Sequence, residues 1–229
     1  MSTKHGVKTL ESMSLAHWYN RWILKKISNY LKGDILEVGC GIGNFTGKLT
    51  GFGRVTAIDI DSQHLKDTKN YLQKKAEIGY GDIEKPEYFF REKKFDSIVC
   101  VNVLEHIEND QRALKNMYSL LKDGGFLILL VPAHEFLYGK IDKSIGHFRR
   151  YNKDSLKKIL IQSSFQINKM RILNLLGAIG WFVSSRLFSE SIVDENKLKI
   201  FNLIAPFILP IEDIIEPPFG TSILVIAKK

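Results

Sequence analysis

The period of hydrophobic and polar positions changes several times along this chain, and each change marks an element. In residues 14–31, "SLAHWYNRWILKKISNYL", Leu15, Trp18, Trp22 and Ile23 fall at helical spacing. This predicts an amphipathic helix ahead of the first strand, broken at Gly33-Asp34. Strands and helices then alternate. "DILEVG" predicts a short buried strand and "NFTGKLTGFG" a helix closed by glycines. "RVTAIDID" is a second strand, and "SQHLKDTKNYLQKK" a second helix with Ser62 expected as N-cap. "AEIGYGDI" is a third strand. "FDSIVCVNV" is a fourth, almost continuously apolar, as in a strand covered on both faces. "NDQRALKNMYSLLK" is a helix ended by Asp123-Gly124-Gly125, and "FLILLVP" a fifth strand. This alternation predicts right-handed crossovers and a parallel sheet with helices on both sides.

After Pro132 the pattern changes. "AHEFLYGKIDKSIGHFRRY" has no clean period and collects His, Tyr and Arg. A helix follows at 153–163, and "FQINKMRIL" and "SILVIAKK" read as two more strands. Between them, Asn174 to Gly220 is apolar: it holds Trp181, Phe182, Phe188, Phe201 and Phe207 and is cut by Pro206, Pro210, Pro217 and Pro218. The organisation expected is one domain over 1–229. It comprises a helical cap (1–32), a ligand-binding core (33–132), a substrate loop (133–152) and an apolar helical insertion (174–220). No repeat or low-complexity tract interrupts it.

Composition narrows the class. With 229 residues, 45% apolar and 25% charged, the chain can bury a sizeable core. Cys40 and Cys100 sit far apart in strand-like runs, which suits neither a zinc site nor a disulfide framework and points to a reducing cytoplasm. "MSTKHGVKTLESMS" lacks the apolar core of a signal peptide, and no run reaches the roughly 18 apolar residues of a spanning helix. The net charge of +8 favours an anionic partner: phosphate, nucleic acid or an acidic membrane face.

The chemistry concentrates in "ILEVGCGIGNFT". Gly39, Gly41 and Gly43 form a turn between first strand and first helix where a ligand can lie against bare backbone. Asp59 lies about twenty residues past Gly39, where an acid can hold the two hydroxyls of a ribose. A nucleoside is therefore expected. The third glycine of the dinucleotide fingerprint is missing, since Asn44-Phe45-Thr46 follow Gly43. With Glu37 beside the turn, a ligand with an amino group and a positive sulfur suits the site better than a diphosphate.

In these motifs the sequence resembles a known family. "LEVGCGIGNFT", "AIDID", "GDI" and "FDSIVCVNVLEHI", in this order, look like the motifs of class I S-adenosylmethionine-dependent methyltransferases. With "LLKDGGFLILLVP" they are similar to the small-molecule branch that includes quinone-biosynthesis methyltransferases. The resemblance covers Gly33 to Pro132 and extends more loosely through "GHFRRY" and the last two strands. It implies a Rossmann-like α/β fold: a seven-stranded, mostly parallel sheet, its last strand antiparallel, with a helical insertion between the last two strands. It implies S-adenosyl-L-methionine as cofactor. Gly39, Gly41 and Gly43 would line its methionine part, with Glu37 holding that end. Asp59 would take the ribose hydroxyls, with Ile60 beside the adenine. Asp82 would accept from the adenine amino group, with Ile83 packed on the ring. Asn102 and Val103 would sit near the sulfonium, and Tyr19 would close over the methionine carboxylate.

Methyl transfer to a hydroxyl gains from a base, and histidine is the usual one near neutral pH. His134, directly after the fifth strand, and His147, in "GHFRRY", are the expected candidates. His64 is expected on a surface helix and His106 beside the cofactor. Arg149, Arg150 and Tyr151 are expected to bind an anionic acceptor, the competing account being an ion pair to Asp142 or Asp154. No metal is called for: the spacings in "EHIEND" match no zinc template, and a helix start explains its acids. Asn102-Val103-Leu104-Glu105 is not the Asn/Asp-Pro-Pro-aromatic turn of amide and adenine methylases, so oxygen is the expected acceptor atom. The insertion is either a lid or a surface that docks on a membrane or admits a lipid-linked acceptor, with Lys197, Lys199, Arg171 and Arg186 in support. The alternatives carried are an RNA methyltransferase, against which the lack of an RNA-binding module argues, and a non-catalytic cofactor-binding protein.

Overall fold

The computed structural model describes residues 16–182 and 195–229. Leu15, Arg186 and Phe188, named above, lie outside the described residues, as does the Lys197 side chain. The elements are α1 (His17–Ile27), β1 (Asp34–Val38), α2 (Thr46–Leu49), β2 (Arg54–Asp59), α3 (Ser62–Leu72), β3 (Glu77–Asp82), β4 (Glu87–Tyr88) and β5 (Phe95–Val101). They continue as α4 (Asp110–Leu120), β6 (Leu121–Pro132), α5 (Lys140–Ile145), α6 (Lys153–Gln162), β7 (Gln166–Leu173), α7 (Leu175–Phe182), α8 (Glu195–Ile208), α9 (Ile211–Ile214) and β8 (Ser222–Lys228).

The sheet has eight strands in the order β4-β3-β2-β1-β5-β6-β8-β7. β1, β2, β3, β5 and β6 run parallel, and β8 enters antiparallel between β6 and β7. This is the expected seven-stranded sheet plus β4, a two-residue strand that pairs antiparallel with the end of β3. A pair that short leaves no alternation for a sequence reading to detect. β6 also begins at Leu121, ahead of the predicted break at Asp123-Gly124-Gly125. In α3 the N-cap is Asp61, whose carboxylate accepts from the backbone N–H groups of Gln63 and His64, one residue before the expected Ser62.

Alternation along the central strands divides the core. Leu36, Val38, Ile98, Cys100, Leu127, Leu129 and Val131 face one side with Leu114, Met117, Leu156 and Leu160 of α4 and α6. Ile35, Val99, Ile128 and Leu130 face the other with Ile23, Ile27, Leu49 and Leu65. Both faces are covered, so the strands read as near-continuous apolar runs.

The insertion is anchored by specific polar contacts. Glu212 is buried and accepts from Asn174 N (2.6 Å) and Leu175 N (3.0 Å), satisfying the start of α7. Trp22 Nε1 donates to Asp213 (2.8 Å), and Arg171 donates to the carbonyls of Glu212 (2.9 Å) and Asp213 (3.2 Å). α1 and the insertion therefore brace each other. Leu114→Ala, which empties a fully buried site between α4 and the sheet, is expected to cost about 2 to 5 kcal/mol in a urea unfolding titration.

Candidate active site at the carboxyl edge of the sheet

Strand order reverses at β1, whose neighbours β2 and β5 lead in opposite directions. A crevice forms where two adjacent connections diverge, outside the carboxyl ends of the strands. The residues singled out from the motifs all lie at this edge. Gly39, Gly41 and Gly43 follow β1 with φ of +71°, +51° and +86°. At Gly39 a side chain is impossible on two counts: the left-handed backbone disfavours it, and a Cβ would stand 2.3 Å from Val103 Cγ2. The glycine turn and the Asn102-Val103 turn after β5 thus touch through bare backbone. Asn102 itself has φ +53°, with its N–H held by Leu130 O (2.8 Å).

Asp59 ends β2. Its carboxylate accepts from Gly41 N (2.8 Å) and Asp61 N (2.9 Å), so the ribose-type acid is held by the glycine turn. His64, expected on the surface, is buried, with Nδ1 3.8 Å from Asp59. Hydrogen bonding to Asp59 raises its pKa against the opposing effect of burial. Ile60 is 62% exposed at the mouth of the edge. Asp82 ends β3 and accepts from Glu84 N (2.9 Å) and Lys85 N (3.2 Å), closing a turn, while Ile83 is buried. Glu37 is buried on β1 with Oε2 unpartnered among the described residues, and burial pushes its pKa up to about 8.

Tyr19 has its ring buried against Trp22 and Phe201, and its hydroxyl lies 3.1 Å from Ser222 Oγ. It ties α1 to the start of β8, which pairs with the end of β6 at this same edge, and burial raises its pKa to about 12.

The 133–152 loop also departs from the expectation of free arginines. Arg150 is buried. Its Nε donates to Asp142 (2.8 Å), its Nη1 to Ala133 O (3.2 Å), and its guanidinium lies 4.7 Å from the centroid of the Trp181 ring. Arg149 pairs with Asp110 (2.9 Å) and donates to Glu108 O (2.8 Å). Tyr151 donates to Asp110 (3.0 Å), and its backbone joins the strand end through Pro132 O (2.9 Å). All three fasten the loop to the sheet edge, so the ion-pair account fits them and a free anion-binding fork does not. For Arg149 the reason is non-local, since Asp110 reaches it through the fold, whereas Arg150 takes the Asp142 pairing that the sequence had offered.

The two histidines differ. His134 directly follows β6 with φ +61°, its Nε2 buried and unpartnered among the described residues. Burial and then Arg150 lower its pKa, so it is neutral near pH 7. His147 has both nitrogens facing carboxylates: Nδ1 at 2.8 Å from Asp142 and Nε2 at 3.7 Å from Glu105. Glu105 was passed over in the sequence as a helix-start acid. It is fully buried, neither carboxylate oxygen has a hydrogen-bond partner among the described residues, and burial raises its pKa to about 7. The adjacent "EH" pair was the signal available. What the spacing could not show is that His147, far along the chain, completes a group with Glu105 and His106.

Comparison with known proteins agrees with this geometry. A family model described as a methyltransferase domain matches residues 36–129. The glycine turn, the acid ending β2 and the core order β3-β2-β1-β5-β6-β8-β7 accord with a class I S-adenosylmethionine-dependent methyltransferase that uses S-adenosyl-L-methionine. Curated relatives include the ubiquinone biosynthesis O-methyltransferase of Rickettsia typhi, 28% identical over 66% of this chain and 68% of that protein. The corresponding protein of Coxiella burnetii is 35% identical over 50% of this chain and 51% of its own. Among solved structures, a methyltransferase from Archaeoglobus fulgidus superposes with a TM-score of 0.62 at 19% identity, covering 93% of this chain and 94% of its own. The N-methyltransferase NodS of Bradyrhizobium japonicum, in complex with S-adenosyl-L-homocysteine, gives 0.59 at 17% identity, covering 91% and 84%.

The raised pKa of Glu37 has a signed consequence for stability. Its proton is held more tightly in the folded chain, so its contribution is fully present below the ordinary value of 4.5 and is lost as pH rises through about 8. Without cofactor, Glu37→Gln is expected to be no more stable than the parent at pH 4 and increasingly more stable towards pH 8. Thermal unfolding across that range measures the difference.

Proposed function

We propose that this chain transfers a methyl group from S-adenosyl-L-methionine to a hydroxyl of a small, largely apolar acceptor, including a lipid-linked one. The observation carrying the acceptor class is an apolar cavity of about 390 Å³ lined by Phe136, Leu137, Ala178, Ile179, Phe182 and Phe219. Phe136 and Leu137 follow β6, and Phe219 precedes β8, whose start pairs with the end of β6 through Pro132 and Ser222. The cavity therefore opens at the same edge as His134, whose ring lies 5.2 Å from that of Phe136. The names of the ubiquinone biosynthesis relatives support oxygen as the acceptor atom, as does the Asn102-Val103-Leu104-Glu105 turn.

When bound, S-adenosylmethionine supplies a methyl carbon already activated by a positive sulfur. The residues present fit it: a cradle at Gly39 that a Cβ would fill, the buried unpartnered Oε2 of Glu37, and a carboxylate at Asp59. In this reading Gly39, Gly41, Gly43 and Glu37 hold the methionine end. Asp59 and Ile60 take the ribose and adenine edge, Asp82 and Ile83 the base, and Asn102 and Val103 border the sulfur. Holding the acceptor oxygen in line behind the carbon can supply about 7 to 11 kcal/mol. His134, neutral with Nε2 free, takes the hydroxyl proton. His147, held by Asp142, is the weaker candidate for that role.

A second reading concerns the outside of the insertion. Leu203, Phe207, Ile214 and Ile215 are between 66% and 85% exposed, and Lys199 is exposed nearby. Such a face favours peripheral contact with an acidic lipid surface. No helix among the described residues is long and apolar enough to cross a membrane.

Labelled methyl from the cofactor, offered with a cell extract split into aqueous, lipid and RNA fractions, is expected to enter the lipid fraction. Label confined to RNA refutes the acceptor class. Asp59→Ala is expected to weaken S-adenosylhomocysteine binding roughly ten- to a hundredfold by calorimetry, the loss of a charged hydrogen-bond partner. His134→Ala is expected to lower turnover about a hundredfold or more with cofactor affinity unchanged.

A further inference from the structure

We propose that His64 is a positioning residue for the ribose of the cofactor: its imidazolium holds Asp59, so that binding of a ribose diol and protonation of His64 reinforce each other. The inference rests on the reading of Asp59 as the acid that takes the ribose hydroxyls, and adds the group behind that acid.

The face of α3 that meets the ligand edge carries two polar residues one helical turn apart. Thr68 is fully buried and donates through Oγ1 to Gly41 O (2.8 Å); its Cγ2 stands 3.0 Å from where a Cβ at Gly43 would lie. His64, one turn earlier and 7% exposed, has Nδ1 3.8 Å from Asp59 Oδ1. Asp59 Oδ2 in turn accepts from Gly41 N (2.8 Å). The helix therefore grips the glycine turn with one side chain and the acid with the other, and the circuit closes through Gly41. The His64 contact is at ion-pair distance, and a small rotation of the ring brings it to a hydrogen bond.

The surroundings favour a charged ring. The charges bearing on it are carboxylates: Asp59 from β2, Asp61 from the turn before α3 and Asp67 from α3 itself. Asp61 is engaged by Gln63 N (2.9 Å) and Asp67 by Gln63 Nε2 (2.9 Å). Glu37 and Cys40 act on Asp59 from the β1 side and bring no positive charge. His64 Nε2 has no hydrogen-bond partner among the described residues, so the Asp59 side is where this buried ring finds its polar contact.

Each oxygen of Asp59 already takes one backbone N–H, from Gly41 on Oδ2 and from Asp61 on Oδ1. One lone pair on each is left for two adjacent hydroxyls. A ribose seated there excludes water from the carboxylate. Attraction between Asp59 and the imidazolium grows as the local dielectric falls, so the bound diol favours protonated His64. By reciprocity the protonated ring favours the diol. Before any ligand binds, the His64 pKa already lies above the ordinary 6.5. Affinity for a diol is therefore full where the ring is charged with and without ligand, and falls as pH rises through that raised pKa.

The probe is adenosine, which carries the diol but no ammonium group to engage Glu37. Its binding to the full chain is titrated from pH 6 to pH 9 beside 2′,3′-dideoxyadenosine, and the His64 imidazole signal is followed by NMR. Adenosine affinity is expected to fall roughly fivefold or more across this range, and adenosine is expected to move the His64 titration to higher pH. Dideoxyadenosine should do neither. His64→Gln, which keeps an amide donor without the charge, should flatten the profile and keep the parent thermal transition. A profile equally steep in His64→Gln overturns the proposal, since it then belongs to another group such as Glu37. So does a His64 titration that adenosine leaves in place, a measurement on the parent chain that needs no variant to fold. If adenosine outbinds dideoxyadenosine by the same ratio at every pH, the ribose reading of Asp59 stands and the role of His64 falls. If the two nucleosides bind equally at every pH, the ribose reading falls and takes this proposal with it.

Discussion

Contact of bare backbone at Gly39 with the Val103 side chain sets the geometry of the whole edge. β1 and β5 are adjacent and parallel, and their connections leave in opposite directions. The two turns meet only because one of them carries no side chain; a Cβ at Gly39 would fall inside Val103. That approach brings Asp59 to the Gly41 N–H and leaves Glu37 buried beneath the turn. Asp59, Glu37 and the turn after β5 are thereby held in one frame. Preorganised groups of this kind need little rearrangement when charge arrives.

The loop after β6 is organised by different forces. Asp142, fully buried, takes hydrogen bonds from Arg150, His147 and the Gly139 N–H. Burial raises its pKa, but these partners together hold it below the ordinary carboxylate value. Breaking one member of such a network leaves an uncompensated charge inside, which makes the loop rigid rather than a mobile flap. The arginines therefore shape the acceptor side indirectly. Through Asp142, Arg150 helps hold His147 in place, and the cavity beside the loop is apolar, lined by Phe136, Phe182 and Phe219 among others. A hydrocarbon acceptor and a buried ion-pair scaffold are compatible, because the charges are spent inside the loop and not at its face.

Local pattern carried most of the fold. The alternation of apolar strands with helices, the glycine turn and Asp59 are all properties of short windows, and the structure shows the mostly parallel sheet expected, with β8 antiparallel. The extra strand β4, the early start of β6 and the shift of the α3 cap from Ser62 to Asp61 are short-range errors of boundary. His64 is an error of a different kind. It is buried beside Asp59, which the turn between β2 and α3 brings against it, and the period of α3 does not show this.

The site divides along the same line. The placement of the glycine turn and Asp59 at the crevice was legible because one turn and one strand end suffice to place them, and covalent geometry limits where neighbours in sequence can lie. The partners of Arg149, His147 and Glu105 were not, because each depends on an element folded back from elsewhere: Asp110 for Arg149, and the turn after β5 meeting the 133–152 loop for Glu105 and His147; the pairing of Arg150 with Asp142 was among the accounts the sequence offered. Electrostatic partnership and desolvation are set by distance and burial, and only chain closure in three dimensions determines those. Residue order alone was therefore enough for the sheet and its glycine-turn edge, while the packed structure decided which charges are buried as scaffold.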